Sequence, residues 1–159
     1  DLKQYLKTVN NNSNPFTPAI NLYFALESSL SMMQKEGLNN IFARHARHRK
    51  ATQEGIKAMG LNLFTKESFG SPAITAVKPE NIDAENIRKI MKSDFDILLA
   101  GGQDHLKGKI FRIGHLGFVN DRDIVSVISA LESTLDKMGK LNFPVGKGIA
   151  KTISILNNG

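Results

Sequence analysis

Cysteine and tryptophan are both absent from the 159 residues of this chain, and only 7% of its residues are aromatic. With no cysteine there can be no disulfide framework, no thiolate metal site and no cysteine nucleophile in this stretch. No apolar run reaches the ~18 residues that a membrane-spanning helix requires. The first residues, Asp1-Leu2-Lys3-Gln4, are polar and lack the apolar core of a secretory signal. Cytoplasm is therefore the expected compartment. The chain starts on Asp1, not methionine, which suggests a piece of something longer.

What is present describes an ordinary globular protein: 41% hydrophobic residues and 23% charged. The length suits one domain burying roughly 70% of its unfolded surface. A net charge of +6 and a pI near 9.6 invite a nucleic-acid reading. Its best support is the run Arg44-His45-Ala46-Arg47-His48-Arg49-Lys50. On a helix those side chains spread around most of the circumference instead of forming one stripe. No aromatics are interleaved to stack on bases. The expectation is a solvated helix face and no nucleic-acid partner.

Residues 1–16 carry an amphipathic stretch around Leu2, Tyr5, Leu6 and Val9, then an asparagine-rich loop ending at Pro15. Thr17-Pro18 reads as a helix start, with Thr17 as N-cap and proline in the first turn. Leu22, Leu26, Leu30 and Met33 then line one face of a helix ending at Gly37. A second helix follows to Gly60 with Leu38, Ile41, Phe42, Ile56 and Met59, and with His45 and Thr52 on the same stripe. Short strands are expected at 61–64, 73–77 and 95–100. Asp83 caps a third helix carrying Ile87, Ile90 and Met91. Asn120 caps a last long helix whose stripe is Ile124, Val127, Ile128, Leu131, Leu135 and Met138. Residues 140–159 read as a tail with one amphipathic helix through Ile149, Ile153 and Leu156. The order shows neither a repeat nor a βαβ alternation. It predicts an α+β fold, a small and mainly antiparallel sheet with helices packed on one face.

The stretch Lys109-Ile110-Phe111-Arg112-Ile113-Gly114-His115-Leu116-Gly117 is the most unusual. As a strand it puts Phe111 and Ile113 on one face and Ile110, Arg112 and Gly114 on the other. A guanidinium in mid-strand is costly unless it is paired or solvated. Two readings follow: a fixed cation at the floor of a cleft, or a charge that discourages aggregation of an edge strand. His105 and His115 flank this strand, with surface placement expected for both. Neither phosphate-loop-like stretch, Gly102 to Lys109 or Gly146-Lys147-Gly148, has the residues of a true one. There is no nucleophile elbow or zinc-protease helix, and the histidines lack metal-ligand spacing.

The succession Thr17-Pro18-Ala19-Ile20, Glu27-Ser28, Glu36-Gly37-Leu38, Ala58-Met59-Gly60-Leu61, Asp96-Ile97, Gly101-Gly102 and Phe111 to Gly117 resembles the C-terminal part of class V aminotransferases. The likeness runs from about residue 5 to 138 and is greatest to alanine–glyoxylate and serine–pyruvate aminotransferases. It implies the aspartate-aminotransferase fold, pyridoxal phosphate as cofactor, a homodimer, and small amino-acid and keto-acid substrates. On it, residues 1–16 end the large domain, 17–139 form the C-terminal domain, and 140–159 are a tail. Arg112 matches the arginine that holds the substrate's α-carboxylate, and guanidinium suits that paired planar contact. Thr17 matches the threonine that reaches the cofactor phosphate in the partner subunit. The lysine that anchors the cofactor in this family would precede Asp1, so the isolated chain is expected to be inactive. Cysteine desulfurases of the same superfamily need a persulfide cysteine, which is missing here.

Two further possibilities remain from the sequence alone, a non-catalytic nucleic-acid-binding module and a module that only dimerises. Some cyanobacterial relatives carry the label of a soluble-hydrogenase small subunit. Without a thiolate this chain could not ligate nickel, iron or an iron–sulfur cluster.

Overall fold

The computed structural model describes residues 1–158. The chain falls into two compact units, Asp1–Ile41 and the remainder from Phe42.

In the first unit, α1 (Leu2–Val9) is capped by the Asp1 carboxylate, which accepts from Lys3 N at 3.0 Å. Helix α2 (Ile20–Glu36) ends at Gly37, whose φ of +85° suits glycine. Its start corrects the expected cap. Ala19 holds the N-cap position and gives no side-chain hydrogen bond. The amide of Ile20 instead bonds to the Pro18 carbonyl at 2.9 Å, so Thr17 and Pro18 lie in the approach to the helix. No residue of α1 or α2 is buried. Helix α3 (Leu38–Ala58) begins here and continues into the second unit.

The second unit is organised on a four-stranded sheet of order β1-β2-β4-β3, antiparallel throughout. The strands are β1 (Asn62–Leu63), β2 (Ile74–Lys78), β3 (Ala100–Gly101) and β4 (Phe111–Gly114). Alternation in β2 and β4 sends Thr75, Val77, Phe111 and Ile113 inward, each 2% exposed or less. Against that face pack Ile56 and Met59 of α3, Ile87 and Met91 of α4 (Ala84–Phe95), and Ile128, Leu131 and Leu135 of α5 (Asp121–Lys137). Each such apolar side chain contributes about 1.5–3 kcal/mol on burial. This is the expected α+β layer with helices on one face.

Local signals explain the helix ends. Asp83 accepts from Glu85 N at 2.9 Å at the start of α4. Asn120 and Asp123 form a reciprocal capping box at the start of α5. The expected strand at 95–100 is corrected: α4 runs on through Phe95 and stops at Asp96, a left-handed residue with φ +54°. Only Ala100–Gly101 joins the sheet.

Helix α6 (Lys147–Asn157) packs closely, through Gly148, Thr152 and Leu156, while Ile153 of the expected stripe is 40% exposed. Its approach to α3 depends on glycine. A methyl at Gly55 would lie 2.2 Å from Thr152 Oγ1, and one at Gly148 would lie 2.7 Å from Met59 Cγ. Glu132 of α5 is fully buried and accepts from Gly148 N at 3.0 Å, near the electropositive start of α6.

The basic run 44–50 is not a solvated face. Arg44 donates to the carbonyls of Gly117 (2.9 Å) and Val119 (3.1 Å). Arg47 makes a paired contact with Asp121 (2.8 and 2.9 Å) and donates to Leu156 O (2.9 Å). His48 is fully buried with Nε2 2.8 Å from Asp121 Oδ1. Arg49 donates to the Glu67 carbonyl. These side chains tie α3 to loops far away in sequence.

Candidate active site

Arg112 sits on β4, and the strand order makes β4 an interior strand, between β2 and β3. A protective charge on a sheet edge is therefore excluded. Phe111 and Ile113 point into the core, so the pleat turns Arg112 to the face opposite the helices. Its register neighbours there are Ala76 on β2 and Ala100 on β3. Methyl groups on both sides leave the long arginine side chain uncovered, and it is partly buried, not enclosed.

One end of the guanidinium is fixed. Nε donates to the Gly101 carbonyl at 3.1 Å. Among the described residues the guanidinium has no other hydrogen bond and no acidic partner. The outer donors of the fork are thus available together, in the plane that a carboxylate matches with two parallel bonds. Glycine at 101 is required for this anchor. A methyl there would lie 2.7 Å from Arg88 Nη1 and 2.9 Å from Glu85 Oε1. Those two residues pair with each other beneath β3, and Arg88 Nε donates to Leu99 O at 2.8 Å. The chain leading to that carbonyl is thus held from the helix side, at Leu99.

Beyond β4 the chain is fastened by histidine. His115, expected at the surface, is fully buried and shares a 2.9 Å hydrogen bond with Thr75 Oγ1. Burial pushes its pKa down to about 4, with electrostatic repulsion from the neighbouring His48 and His45 adding to the effect. It is neutral at physiological pH and serves to pack. His48 is also shifted down, because burial outweighs the Asp121 carboxylate beside it. His105 is exposed, as expected. Gly117 N donates to His45 Nε2 at 3.2 Å, which together with Arg44 fixes the loop leaving β4.

Thr17 belongs to the first unit. It is exposed, and its hydroxyl has no hydrogen bond with any described residue. Its donor and acceptor are free for a phosphate, as the Arg112 fork is for a carboxylate. The residues missed in the sequence are Ala76, Ala100 and Gly101. The register that puts two alanines and a carbonyl around Arg112 involves strands too short to align beforehand.

No family model matches the chain. Individual proteins do. It is 55% identical over 157 residues to a protein of Synechococcus sp. named soluble hydrogenase, small subunit, covering 99% of this chain and 41% of that one. It is 38% identical over 148 residues to serine–glyoxylate aminotransferase of Arabidopsis thaliana, covering 91% and 36%. Among solved structures, ureidoglycine–glyoxylate aminotransferase from Bacillus subtilis superposes with a TM-score of 0.91 at 32% identity, over 99% of this chain and 41% of that one. The chain thus spans about two fifths of the curated relatives it matches. No helix among the described residues is long and apolar enough to cross a membrane. The order of motifs, the α+β layer and these relatives agree: the chain belongs to the class V aminotransferases, as their C-terminal part.

Proposed function

We propose that the full-length protein is a cytoplasmic, homodimeric, pyridoxal-phosphate-dependent aminotransferase that moves the amino group of alanine or serine to glyoxylate or pyruvate. In this reading residues 1–16 close the preceding large domain, 17–139 form the C-terminal domain and 140–159 its tail. The observation that carries the reading is the Arg112 guanidinium, pinned through Nε to Gly101 and otherwise unpaired between two alanines. A buried or half-buried cation left unmatched is unfavourable, and an incoming α-carboxylate supplies the match. Related proteins are named for serine, ureidoglycine, glyoxylate and pyruvate, whose reactions all handle small carboxylates.

Arg112 binds and orients: two parallel bonds fix the carboxylate plane and so aim the substrate's α-carbon. Thr17 offers its hydroxyl to the cofactor phosphate. The bound cofactor supplies the electron sink for amino transfer. The lysine that would anchor it and move the proton lies outside this stretch, so residues 1–159 alone are inactive.

Two relatives at 55% and 51% identity carry soluble-hydrogenase names. This chain offers no thiolate for nickel or iron, and Arg112 has no role in that chemistry. The test is an amino-transfer assay on the full-length protein with alanine or serine and glyoxylate, with and without added pyridoxal phosphate. Cofactor-dependent formation of the keto product is expected. A purified, folded protein with no transfer from either donor would count against the proposal.

A further inference from the structure

The anchor of Arg112 stands on the weakest strand of the sheet. Strand β3 is two residues long and lies at the end of the strand order, paired with β4 alone. Gly102 N donates to Ile110 O at 3.1 Å, and Ala100 faces Arg112 in register. Alternation of the antiparallel ladder then turns the carbonyls of Leu99 and Gly101 away from β4, toward the open edge. Short elements with few neighbours are the first to open locally. Yet the Gly101 carbonyl is the group that fixes Arg112 Nε, at 3.1 Å.

Each of these two outward carbonyls carries an arginine. Arg112 reaches Gly101 O from the open face, and Arg88 Nε reaches Leu99 O at 2.8 Å from the helix face. The base of Arg88 is firm. Its neighbours on α4, Ile87 and Met91, are fully buried in the core, and Glu85 pairs with its Nη1. Its guanidinium also occupies the space where a side chain at 101 would stand. A methyl there would lie 2.7 Å from Nη1 and 3.0 Å from Cζ. Arg88 therefore meets β3 twice, through a hydrogen bond at Leu99 and by packing under Gly101.

We infer that Arg88 is a positioning residue for the substrate-carboxylate contact. It seats β3 on the helical core and so sets where the Gly101 carbonyl holds the Arg112 fork. The inference rests on the aminotransferase reading, in which Arg112 receives the carboxylate. Arg88 lies on the helix side of the sheet, so it acts through Arg112 and not by its own contact with substrate. Released from Arg88, β3 shifts and carries the fork with it, and a displacement of about 1 Å is enough to weaken a paired contact.

The test is steady-state kinetics of the full-length protein carrying Arg88→Met, alone and together with Arg112→Ala. Arg88→Met is expected to raise KM for the amino donor about fivefold and to leave turnover within about twofold. In the Arg112→Ala background it should leave KM where Arg112→Ala alone puts it, because changes acting through one contact do not add. Arg88→Lys should recover part of the loss, since an ammonium still reaches one carbonyl. If Arg88→Met does not fold, Glu85→Ala is read in its place, with about a twofold rise in KM that vanishes in the Arg112→Ala background. An unmoved KM in the variant read, or an equal rise in the Arg112→Ala background, would assign Arg88 to stability alone and overturn the inference. A wild-type KM in Arg112→Ala is a different failure, since it would remove the carboxylate reading itself.

Discussion

Asp121 receives the two Nη groups of Arg47 end-on, with both oxygens bonded at 2.8 and 2.9 Å, and its Oδ1 also lies 2.8 Å from His48 Nε2. One carboxylate at the start of α5 thus holds two residues of α3. Arg47 keeps that carboxyl below the usual carboxylate range, with His48 reinforcing it. Asp121→Ala would leave His48 buried with neither ring nitrogen bonded. It is expected to cost about 2 kcal/mol, read as a lower urea midpoint with unchanged slope. A midpoint equal to the wild type would show that the contact adds nothing.

Acid should destabilise the fold through its buried histidines. An unfolded histidine takes its proton near 6.5, whereas folded His115 does so only near 4. Between those values the unfolded chain binds more protons, so stability rises with pH and drains as pH falls from 6.5 toward 4. His48 contributes in the same direction. The slope should approach about 1.4 kcal/mol per pH unit for each fully shifted histidine. Urea unfolding at about pH 7 and about pH 5 checks this, and His115→Gln should flatten the profile. A wild-type profile that is flat across this range would contradict the burial argument.

Gly55→Ala tests the seam between α3 and α6. Helix propensity alone favours alanine by about 1 kcal/mol. The methyl would meet Thr152 Oγ1 at 2.2 Å, so the net effect is expected to be destabilising by about 1–3 kcal/mol. Adding Thr152→Ala should recover part of the loss. A Gly55→Ala protein that melts higher than the wild type would mean that α6 does not approach as closely as described.

Much of the fold was legible because short-range signals decide it. Asp83 and Asn120 cap helices by bonds to amides two or three residues on, and the α5 stripe needs only its own periodicity. What failed depends on distant partners. The run 44–50 looked like a solvated face because Asp121, Gly117 and Glu67 lie 18 to 74 residues away. Phe95 to Leu99 looked like a strand, since its apolar run could not reveal that Asp96 would turn left-handed. His115 is hidden by Thr75 from another strand, 40 residues earlier. Arg112 was legible as an anomaly in a strand, but the alanines beside it came only with the register.

Thr17→Ala in the full-length protein should weaken pyridoxal-phosphate affinity about fivefold, as loss of one hydroxyl contact, with little change in melting temperature of the cofactor-free form. Thr17 bonds to no described residue, so a large loss of stability without cofactor would assign it a structural role instead.

The most direct measurement concerns Arg112. Steady-state kinetics of Arg112→Ala and Arg112→Lys in the full-length protein should show the KM for the amino donor raised about 10- to 100-fold by alanine, from loss of a charged contact of about 1.5–3 kcal/mol. Lysine should restore only part, because an ammonium cannot form the paired planar contact. Unchanged KM and turnover in Arg112→Ala would contradict the carboxylate clamp, and with it the functional reading of this strand.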